Sequence, residues 1–342
     1  MDPKVTVFMP VFNGEKYLRE AVESILSQTF KDFKFIIIDD CSVDNSWRIL
    51  NSYDNQRICI IRNETNLGLP KTRNIGLSLA RGEYLAIMDA DDISLPKRLE
   101  RQVNFMDEHP EIGICGTWAR QFGSDEQEVW KYKIKHEDIH MGLLFSNRMN
   151  HSSLMLRRKY LSQHNIIYDI FFEYAEDYDL YVRCAVHFKL ANIPEVLVHC
   201  RAHENQVTKI DADKVEFYNK LVQRNQLERL GVNINADELN LHYILGKRLS
   251  IHTLDFINRI EDWLIKLIKA NIATQYYQQK SFKHFIANKY FSICKQSVFK
   301  NIHILKVFSK SPLSVFFYAY IRAILLNATG RVFNTFRFKT HN

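Results

Sequence analysis

Strand-like and helix-like patterns alternate along the first 115 residues, and no other feature of the sequence restricts the fold as strongly. Short apolar runs occur at Val5–Val11, Phe33–Ile38, Ile58–Ile61, Tyr84–Met88 and Ile112–Cys115. The segments between them show helical spacing or helix caps, and one of them, Ser42–Tyr53, is predicted to be a helix. Continuous apolar runs are typical of parallel strands buried on both faces of a sheet. The repeated strand–helix–strand order predicts an α/β fold, in which a mostly parallel sheet carries helices on both faces.

Beyond residue 115 the patterns are less regular. They predict a helix from Ala175 or Glu176 to His187 and short strands near Ser152–Leu156, Lys189–Ile193 and Val196–Cys200. After about residue 205 the pattern becomes almost wholly helical. We therefore expect two domains, residues 1–205 with the sheet and residues 206–342 as a helical C-terminal region.

Polar side chains follow the ends of the predicted strands. Asn13 and Gly14 follow the first strand, Asp39 and Asp40 end the second, and the segment 89–92 (Asp-Ala-Asp-Asp) follows the fourth. Open parallel sheets bind ligands at the carboxyl ends of their strands. No Gly-x-Gly-x-x-Gly or Walker A sequence is present, which argues against a dinucleotide oxidoreductase or a P-loop enzyme.

The acidic strand ends suit a hard divalent ion held together with substrate phosphates, as in Mg or Mn chemistry on a nucleoside diphosphate. A structural alternative is that Asp91 and Asp92 only cap the helix that starts near Pro96. Acidic or polar tips on three strands favour the ligand site, because capping would explain one tip and not three.

The net charge of +7 is the sum of two opposed parts. Residues 263–342 contain 13 Lys and Arg and no acidic residue, so the first 262 residues carry 33 basic and 39 acidic groups. The last 80 residues also hold 16 of the 43 aromatic residues. A basic, aromatic, helical segment suits peripheral binding to an anionic membrane. The alternatives are packing on the acidic body and binding of nucleic acid, but no nucleic-acid motif is present.

The six cysteines show no CxxC pair, which predicts free thiols in a reducing compartment. The N-terminus runs directly into a strand pattern without a signal peptide, and the longest apolar stretch, Leu313–Leu326, is interrupted by Arg322. We therefore expect a cytoplasmic protein whose membrane contact, if any, is peripheral to the cytoplasmic face of the inner membrane.

Five motifs in order resemble those of the family 2 glycosyltransferases. They span about residues 4–205 and read PVFNGEKYL, IIIDDCSVDNS, NLGLPKTRNIGL, GEYLAIMDADDISLPKRLE and AEDYDLYVRCA. The resemblance implies an inverting enzyme with the nucleotide-diphospho-sugar-binding glycosyltransferase-A fold, and residues 1–205 as its catalytic domain. More narrowly, the segments 135–139, 151–158 and 200–208 are similar to bacterial lipooligosaccharide β-1,3-N-acetylglucosaminyltransferases.

The resemblance also implies a donor site. Pro10, Phe12 and Asn13 would line the pocket for the nucleotide base and ribose, and Asp39 would accept a hydrogen bond from uracil. Arg73, or alternatively Lys71, would contact the donor phosphates, and Asp89 would hold the ribose or the donor sugar. These residues belong to the first four motifs.

The remaining implied roles concern the metal and the base. Asp91, the second acid of the DxD motif, would ligate a divalent metal, Mn or Mg, and His203 would complete that site, with His199 as a nearby competitor. Asp177 matches the general base, which takes the proton of the acceptor hydroxyl. A structural alternative for Asp177 is plain capping of its helix.

Two departures from the family pattern are informative. Cys41 stands where relatives usually carry Gly after the paired aspartates. Gly adopts φ > 0 freely and Cys does not, so this departure leaves the geometry of the turn open, though not the carboxylates. The QxxRW motif of processive synthases is missing, which indicates transfer of a single sugar.

The sequence thus predicts a metal-assisted enzyme that moves one hexose or N-acetylhexosamine from a UDP-sugar to a lipid-linked or surface glycan, in lipooligosaccharide, O-antigen or capsule biosynthesis. Two alternatives remain open at this point. One is a sugar nucleotidyltransferase, which would need a pyrophosphate-binding loop. The other is a non-catalytic nucleotide-binding protein, which would keep Asp39 but would not need Asp177.

Overall fold

The computed structural model describes residues 2–124, 127–204, 206, 210–247, 253–298 and 303–318. Its strands are β1 Val5–Val11, β2 Phe33–Asp39, β3 Ile58–Arg62, β4 Tyr84–Ile87, β5 Ile93–Ser94, β6 Ile112–Phe122, β7 Val129–Trp130, β8 Met155–Arg157 and β9 Lys189–Arg201. Its longer helices are α1 Leu18–Leu26, α2 Ser46–Leu50, α3 Leu69–Leu79, α4 Arg98–Glu108, α5 His136–Leu143, α6 Arg158–Gln163, α7 Glu176–Cys184, α8 Ala212–Arg229, α9 Ala236–Gly246, α10 Leu254–Thr274, α11 Gln279–Val298 and α12 His303–Lys310.

The strands form one sheet in the order β3-β2-β1-β4-β8-β6-β9-β5, with β7 added to β6. Strands β1 to β4, which carry the acidic strand ends, pair in parallel, and β6 pairs in parallel with β9. This confirms the predicted α/β fold with a largely parallel sheet. The short strand β8 lies antiparallel between β4 and β6, so the fifth predicted strand is not a neighbour of the fourth.

Strand β9 replaces two predicted strands. The segments 189–193 and 196–200 form one continuous strand along β6. The register shifts where Ile193 pairs with Thr117 and Val196 pairs with Trp118, which leaves Pro194 and Glu195 as extra residues. Because proline lacks an N–H donor, a bulge is a place where a sheet tolerates it, and the strand continues past it.

The sheet separates two hydrophobic cores. Along β1, Val5, Val7 and Met9 pack into the core that contains α1 and α4, whereas Phe8 packs into the core that contains α5 and α7. This alternation follows from the two-residue period of a strand. Helices therefore cover both faces of the sheet, as predicted.

Contacts divide the chain into two compact units, Met1–Gln226 and Leu227–Asn342. The first unit extends past residue 205 because Val222 of α8 is buried in the same core as α7. The described residues of the second unit form helices, as predicted, and α9 begins with a capping box between Asn235 and Glu238. The longest apolar stretch of the sequence, 313–326, lies partly outside the described residues.

Among the helices of the described residues, none is both long enough and apolar enough to cross a bilayer.

Candidate active site

The loops after β1 and β2 are joined by hydrogen bonds at the carboxyl edge of the sheet. The Asn13 backbone N–H donates to Ser42 Oγ at 2.9 Å, and Asn13 Oδ1 accepts from the Val43 N–H at 3.0 Å. Asn13 and Cys41 have φ values of 50° and 61°. The turn keeps its left-handed conformation without glycine, at the steric cost of a side chain there.

The two aspartates that follow β2 have different partners. Asp39 is fully buried, and its Oδ2 lies 3.1 Å from Nε of Arg62. The Arg62 guanidinium lies over the ring of Trp47, 5.0 Å from its centroid. Asp40 instead accepts backbone N–H groups from Leu67 and Gly68, both at 2.9 Å. Asp40 therefore fixes the loop after β3, while Asp39 keeps a buried carboxylate beside a cation.

Arg73 links the fourth strand end to α7. This side chain is 4% exposed, pairs with Glu176, and donates from Nη2 to Asp89 Oδ1 at 3.2 Å. Burial alone would lower the pKa of Arg73, but Glu176 and Asp89 outweigh it and the pKa is raised. Burial raises the pKa of Glu176, and the Arg73 guanidinium opposes that rise. Arg73 is therefore a fixed cation between two acidic elements.

Asp89 has a second partner in the short helical turn before β8. Its Oδ2 accepts a 2.6 Å hydrogen bond from Ser152 Oγ. Burial works against the ionised form, but Arg73 first, then His151 and Ser152, hold the pKa of Asp89 below its ordinary value. Asp89 thus stays a carboxylate with both oxygens oriented.

Asp91 and His203 are brought together across more than a hundred residues. His203 Nε2 lies 2.9 Å from Asp91 Oδ2, and the His203 ring lies 5.1 Å from the ring of Tyr17. Burial and the neighbouring Asp89 raise the pKa of Asp91, and His203 opposes the rise. His199 instead packs its ring 6.0 Å from that of Phe122.

Helix capping does not account for the acidic segment after β4. Helix α4 begins at Arg98, and its cap residue Lys97 makes no side-chain capping bond. Asp92 instead accepts the Arg201 N–H at 2.9 Å, and burial, then Asp91, raises the pKa of Asp92 to about 8. A bound cation would relieve the repulsion among these adjacent buried carboxylates, so the electrostatics of this segment favour cation binding.

The donor atoms around Asp91 suit a metal shared with a substrate. No group of three or more His, Cys, Asp or Glu side chains within the described ranges could hold a metal ion alone. Asp91 and His203 together offer a carboxylate oxygen and an imidazole nitrogen. Mg and Mn are commonly bound by one or two protein groups plus substrate phosphates, so the residues present fit such an ion.

Asp177 lies in the first turn of α7, as predicted. Its Oδ2 accepts a 2.8 Å hydrogen bond from Asn147 Nδ2, and its Oδ1 accepts the N–H of Tyr178. The cap residue of α7 is Ala175, so Asp177 does not occupy the capping position. Burial raises the pKa of Asp177, and Arg73 is the main opposing influence. The helix N-terminus also favours the ionised form.

The remaining residues predicted for the donor site differ in their exposure to solvent. Phe12 is 50% exposed after β1, whereas Pro10 is buried within that strand. Lys71 is exposed on α3, so Arg73 alone of the two cations contacts the acidic cluster. The roles of these residues in binding a donor remain predictions.

Three residues that contact the site were not singled out from the sequence. Glu176 pairs with Arg73, Ser152 orients Asp89, and Asn147 orients Asp177. Glu176 could have been found from its position beside Asp177. Ser152 and Asn147 come from distant segments, and only the fold brings them to the strand ends.

Known proteins with similar sequences place the chain in a family. Residues 6–170 match the model of glycosyl transferase family 2. An uncharacterized glycosyltransferase of Haemophilus influenzae is 31% identical over 68% of this chain and 77% of its own length. An uncharacterized glycosyltransferase of Methanocaldococcus jannaschii is 36% identical over 63% and 77%. The amylovoran biosynthesis glycosyltransferase AmsE of Erwinia amylovora is 32% identical over 60% and 78%.

Solved structures agree on the fold. TarS 1–349 of S. aureus in complex with UDP-GlcNAc aligns with a TM-score of 0.58 at 18% identity, over 86% of this chain and 91% of that one. The mannosyltransferase PcManGT of Pyrobaculum calidifontis, in complex with GDP-Man and Mn²⁺, aligns with a TM-score of 0.52 at 12% identity, over 97% and 89%. The matched family and the glycosyltransferase relatives favour a glycosyltransferase over the nucleotidyltransferase and the non-catalytic alternatives, and the chain belongs to the family 2 glycosyltransferases.

Proposed function

We propose that this enzyme transfers one hexose or N-acetylhexosamine from a UDP-sugar, with inversion, to a hydroxyl group of a lipid-linked or surface glycan. The arrangement of Asp89, Arg73, Glu176 and Asp177 carries this proposal. Through buried Arg73, the strand end proposed to hold the donor is linked to the helix that carries the proposed base. Such a link keeps the two reacting groups in one geometry, which is the main requirement for a single displacement.

Asp177 is proposed to act as the base. As the acceptor oxygen approaches the anomeric carbon, its proton passes to a carboxylate oxygen of Asp177. Asn147 and the Tyr178 N–H orient that carboxylate. The bond from the anomeric carbon to the diphosphate breaks as the new bond forms on the opposite face, so the configuration inverts.

Asp91 and His203 are proposed to hold the divalent metal, Mn or Mg, together with the diphosphate of the donor. A metal bound there would offset negative charge on the leaving diphosphate. Asp89, held ionised by Arg73, is proposed to bind hydroxyl groups of the ribose or the donor sugar.

Asp39 is proposed to select the base of the donor. Asp39 is fully buried. The oxygens of a carboxylate accept hydrogen bonds, and uracil offers an N–H donor. Phe12, which is half exposed after β1, would complete the pocket together with Pro10 and Asn13. TarS 1–349 was solved with UDP-GlcNAc, which supports a nucleotide-sugar donor, whereas PcManGT was solved with GDP-Man.

The acceptor is proposed to be a glycan of the bacterial surface. The match to an amylovoran biosynthesis enzyme supports polysaccharide assembly as the setting. The acid-free segment from residue 263 onward is proposed to hold the enzyme on an anionic inner-membrane surface, where a lipid-linked acceptor would lie.

The proposed mechanism is tested by replacing the base with its uncharged isostere. In Asp177→Asn, transfer from a panel of UDP-sugars should fall by about 10²–10⁴-fold, because removal of a general base costs that much. Asp179→Asn is the matched control, since Asp179 lies on the same helix and pairs with Arg183. Transfer by Asp177→Asn at the rate of this control would contradict the proposal.

A further inference from the structure

A second concave surface adjoins the candidate active site within the first compact unit. It is a cavity of about 430 Å³ formed by the residues just before α7 and by the start of α8. We call it the aromatic pocket, and it is lined by Glu173, Tyr174, Asp213, Lys214, Phe217 and Tyr218. None of these side chains has a part in the donor, metal or base functions proposed above.

The aromatic pocket lies close to the proposed base. Tyr174 precedes Asp177 by three residues, so their Cα atoms are within about 11 Å even in an extended chain. Glu173 Oε1 would lie 3.8 Å from a Cβ atom built on Gly68, and Asp40 holds the Gly68 N–H. The pocket therefore adjoins both the base helix and the loop after β3.

The lining combines exposed ring surface with charged groups. Phe217 is 61% exposed, and its ring meets that of Tyr218 edge-on at 5.2 Å. Tyr218 stacks on Tyr174 at 5.8 Å. Lys214 Nζ lies 3.1 Å from the Tyr174 hydroxyl group, at the rim of these rings. Flat aromatic faces beside carboxylates and an ammonium group offer both the apolar contact and the hydrogen bonds that a sugar ring needs.

An alkyl chain would fit this lining poorly. An alkyl chain would displace water from the carboxylates of Glu173 and Asp213 and would offer them no hydrogen bond in return. The hydroxyl groups of a sugar would replace that water. The charge content of the pocket therefore favours a saccharide over the hydrocarbon part of a lipid-linked acceptor.

We infer that the aromatic pocket binds a sugar unit of the acceptor at a position away from the hydroxyl group that reacts. The acceptor is then an oligosaccharide of at least two units, and its inner unit packs on Phe217 and Tyr218. This inference rests on the proposed function, because it takes the acceptor to be a glycan.

Binding of defined saccharides to the full chain tests the inference. Saturation-transfer NMR is recorded with the methyl β-glycosides of cellobiose, lactose and N,N′-diacetylchitobiose, and with the corresponding methyl monosaccharides. At least one disaccharide should bind more tightly than its monosaccharide. Phe217→Ala should weaken that binding by about tenfold, which is the scale of one lost aromatic contact.

Lys214→Ala is the second variant, and it should also weaken disaccharide binding. Its side chain is 58% exposed, so its loss does not disturb the core. Val186→Ala, an exposed apolar residue that follows α7, is the control and should bind as the wild type does. If no disaccharide binds, or if both variants bind like this control, the inference is overturned.

Octyl β-glucoside distinguishes the two parts of a lipid-linked acceptor. The inference fails if three results occur together: the octyl protons receive saturation, this signal is lost in Phe217→Ala, and no methyl disaccharide binds. The pocket then holds hydrocarbon.

Release of UDP by the wild type from UDP-sugars is measured separately. Without UDP release from any donor the proposed function fails, whatever the saccharides do. With UDP release but unchanged saccharide binding in both variants, only the inference fails.

Discussion

Asp177 would have to act as a base in surroundings that oppose its charge. Burial raises the pKa of this carboxyl, while Arg73 and the Asn147 hydrogen bond lower it. The net direction is upward, which brings the carboxyl closer to neutral pH. A base is most effective when its pKa lies near the working pH, so this environment suits the proposed role.

The pH profile follows from that direction. Protonated Asp177 cannot accept the acceptor proton, so kcat/KM should fall as the pH drops through its raised pKa, above the usual range for an aspartate. Asn147→Ala removes a hydrogen bond that favours the ionised form, so the acid limb should move up by about one pH unit. The comparison is the pH profile of Asn51→Ala, an exposed asparagine of the loop after α2. A limb at the same pH in both variants would argue against Asp177 as the titrating group.

His203 and His199 provide a matched pair for the metal assignment. His199 lies near the end of β9, and His203 lies two residues beyond that end. Of the two, His203 contacts Asp91 and His199 does not. In His203→Ala, the Mn²⁺ concentration that gives half-maximal UDP release should rise by about 10–100-fold, as on losing a ligand or its support. His199→Ala should leave it unchanged. Equal metal dependence in the two variants would remove His203 from the site.

Much of the candidate site was predictable from the sequence, because its residues follow strands that are easily recognised. Asp39 and Asp89 each stand directly after an apolar run, and Asp91 follows two residues later, so their common edge followed from the parallel order. His203 was predicted beside Asp91, but Ser152 was not predicted as the partner of Asp89. Ser152 reaches Asp89 only because β8 inserts beside β4, and the sequence has no signal for that insertion.

At the scale of elements, the errors of prediction follow from local chemistry. The helix predicted at 42–53 is observed only at Ser46–Leu50, because side chains that precede it bind to the backbone of the loop after β1. Ser42 Oγ accepts the Asn13 N–H, and Asp44 Oδ2 accepts the Glu15 N–H. Ser and Asp side chains compete with helix formation by bonding to nearby backbone, and here they join two loops.

A substitution at the contact between α3 and β1 tests the packing that positions Arg73. Gly76 faces β1, and a Cβ atom there would lie 2.4 Å from the ring of buried Phe8. Gly76→Ala should therefore lower the free energy of unfolding by about 2 kcal/mol, because overpacking outweighs the gain of about 1 kcal/mol in helix propensity.

Ser78→Ala is the control for that substitution, since Ser78 is exposed on the same helix. Urea unfolding followed by circular dichroism should give a lower midpoint for Gly76→Ala and a nearly unchanged one for Ser78→Ala. Phe8→Leu makes room for the added methyl group, so its cost and that of Gly76→Ala should be less than additive. An unchanged midpoint in Gly76→Ala would mean that α3 does not pack so closely.

At the scale of the whole molecule, the charge is divided along the chain. The first 262 residues carry the acidic strand ends, and the last 80 carry 13 cations and no acid. In the second unit the buried residues include Ile304 and Phe308 of α12, with Phe308 packed 5.9 Å from the ring of Tyr290. Removing α12 would therefore damage a packed core as well as remove charge. A test of membrane binding must leave that helix in place.

A chain that ends at residue 318 meets this condition, because it keeps α12 and loses the four cations Arg322, Arg331, Arg337 and Lys339. Binding to vesicles with anionic lipids should weaken in this variant, at up to about 1 kcal/mol for each cation that lies near the surface. Full-length protein with these four residues changed to Gln separates charge from apolar content. If charge dominates, the Gln variant should bind the vesicles as weakly as the shortened chain does. Added salt should then lower the vesicle binding of the wild type to the level of these two variants. Equal binding of all three proteins at low salt would show that the cations beyond residue 318 do not hold the enzyme on the membrane.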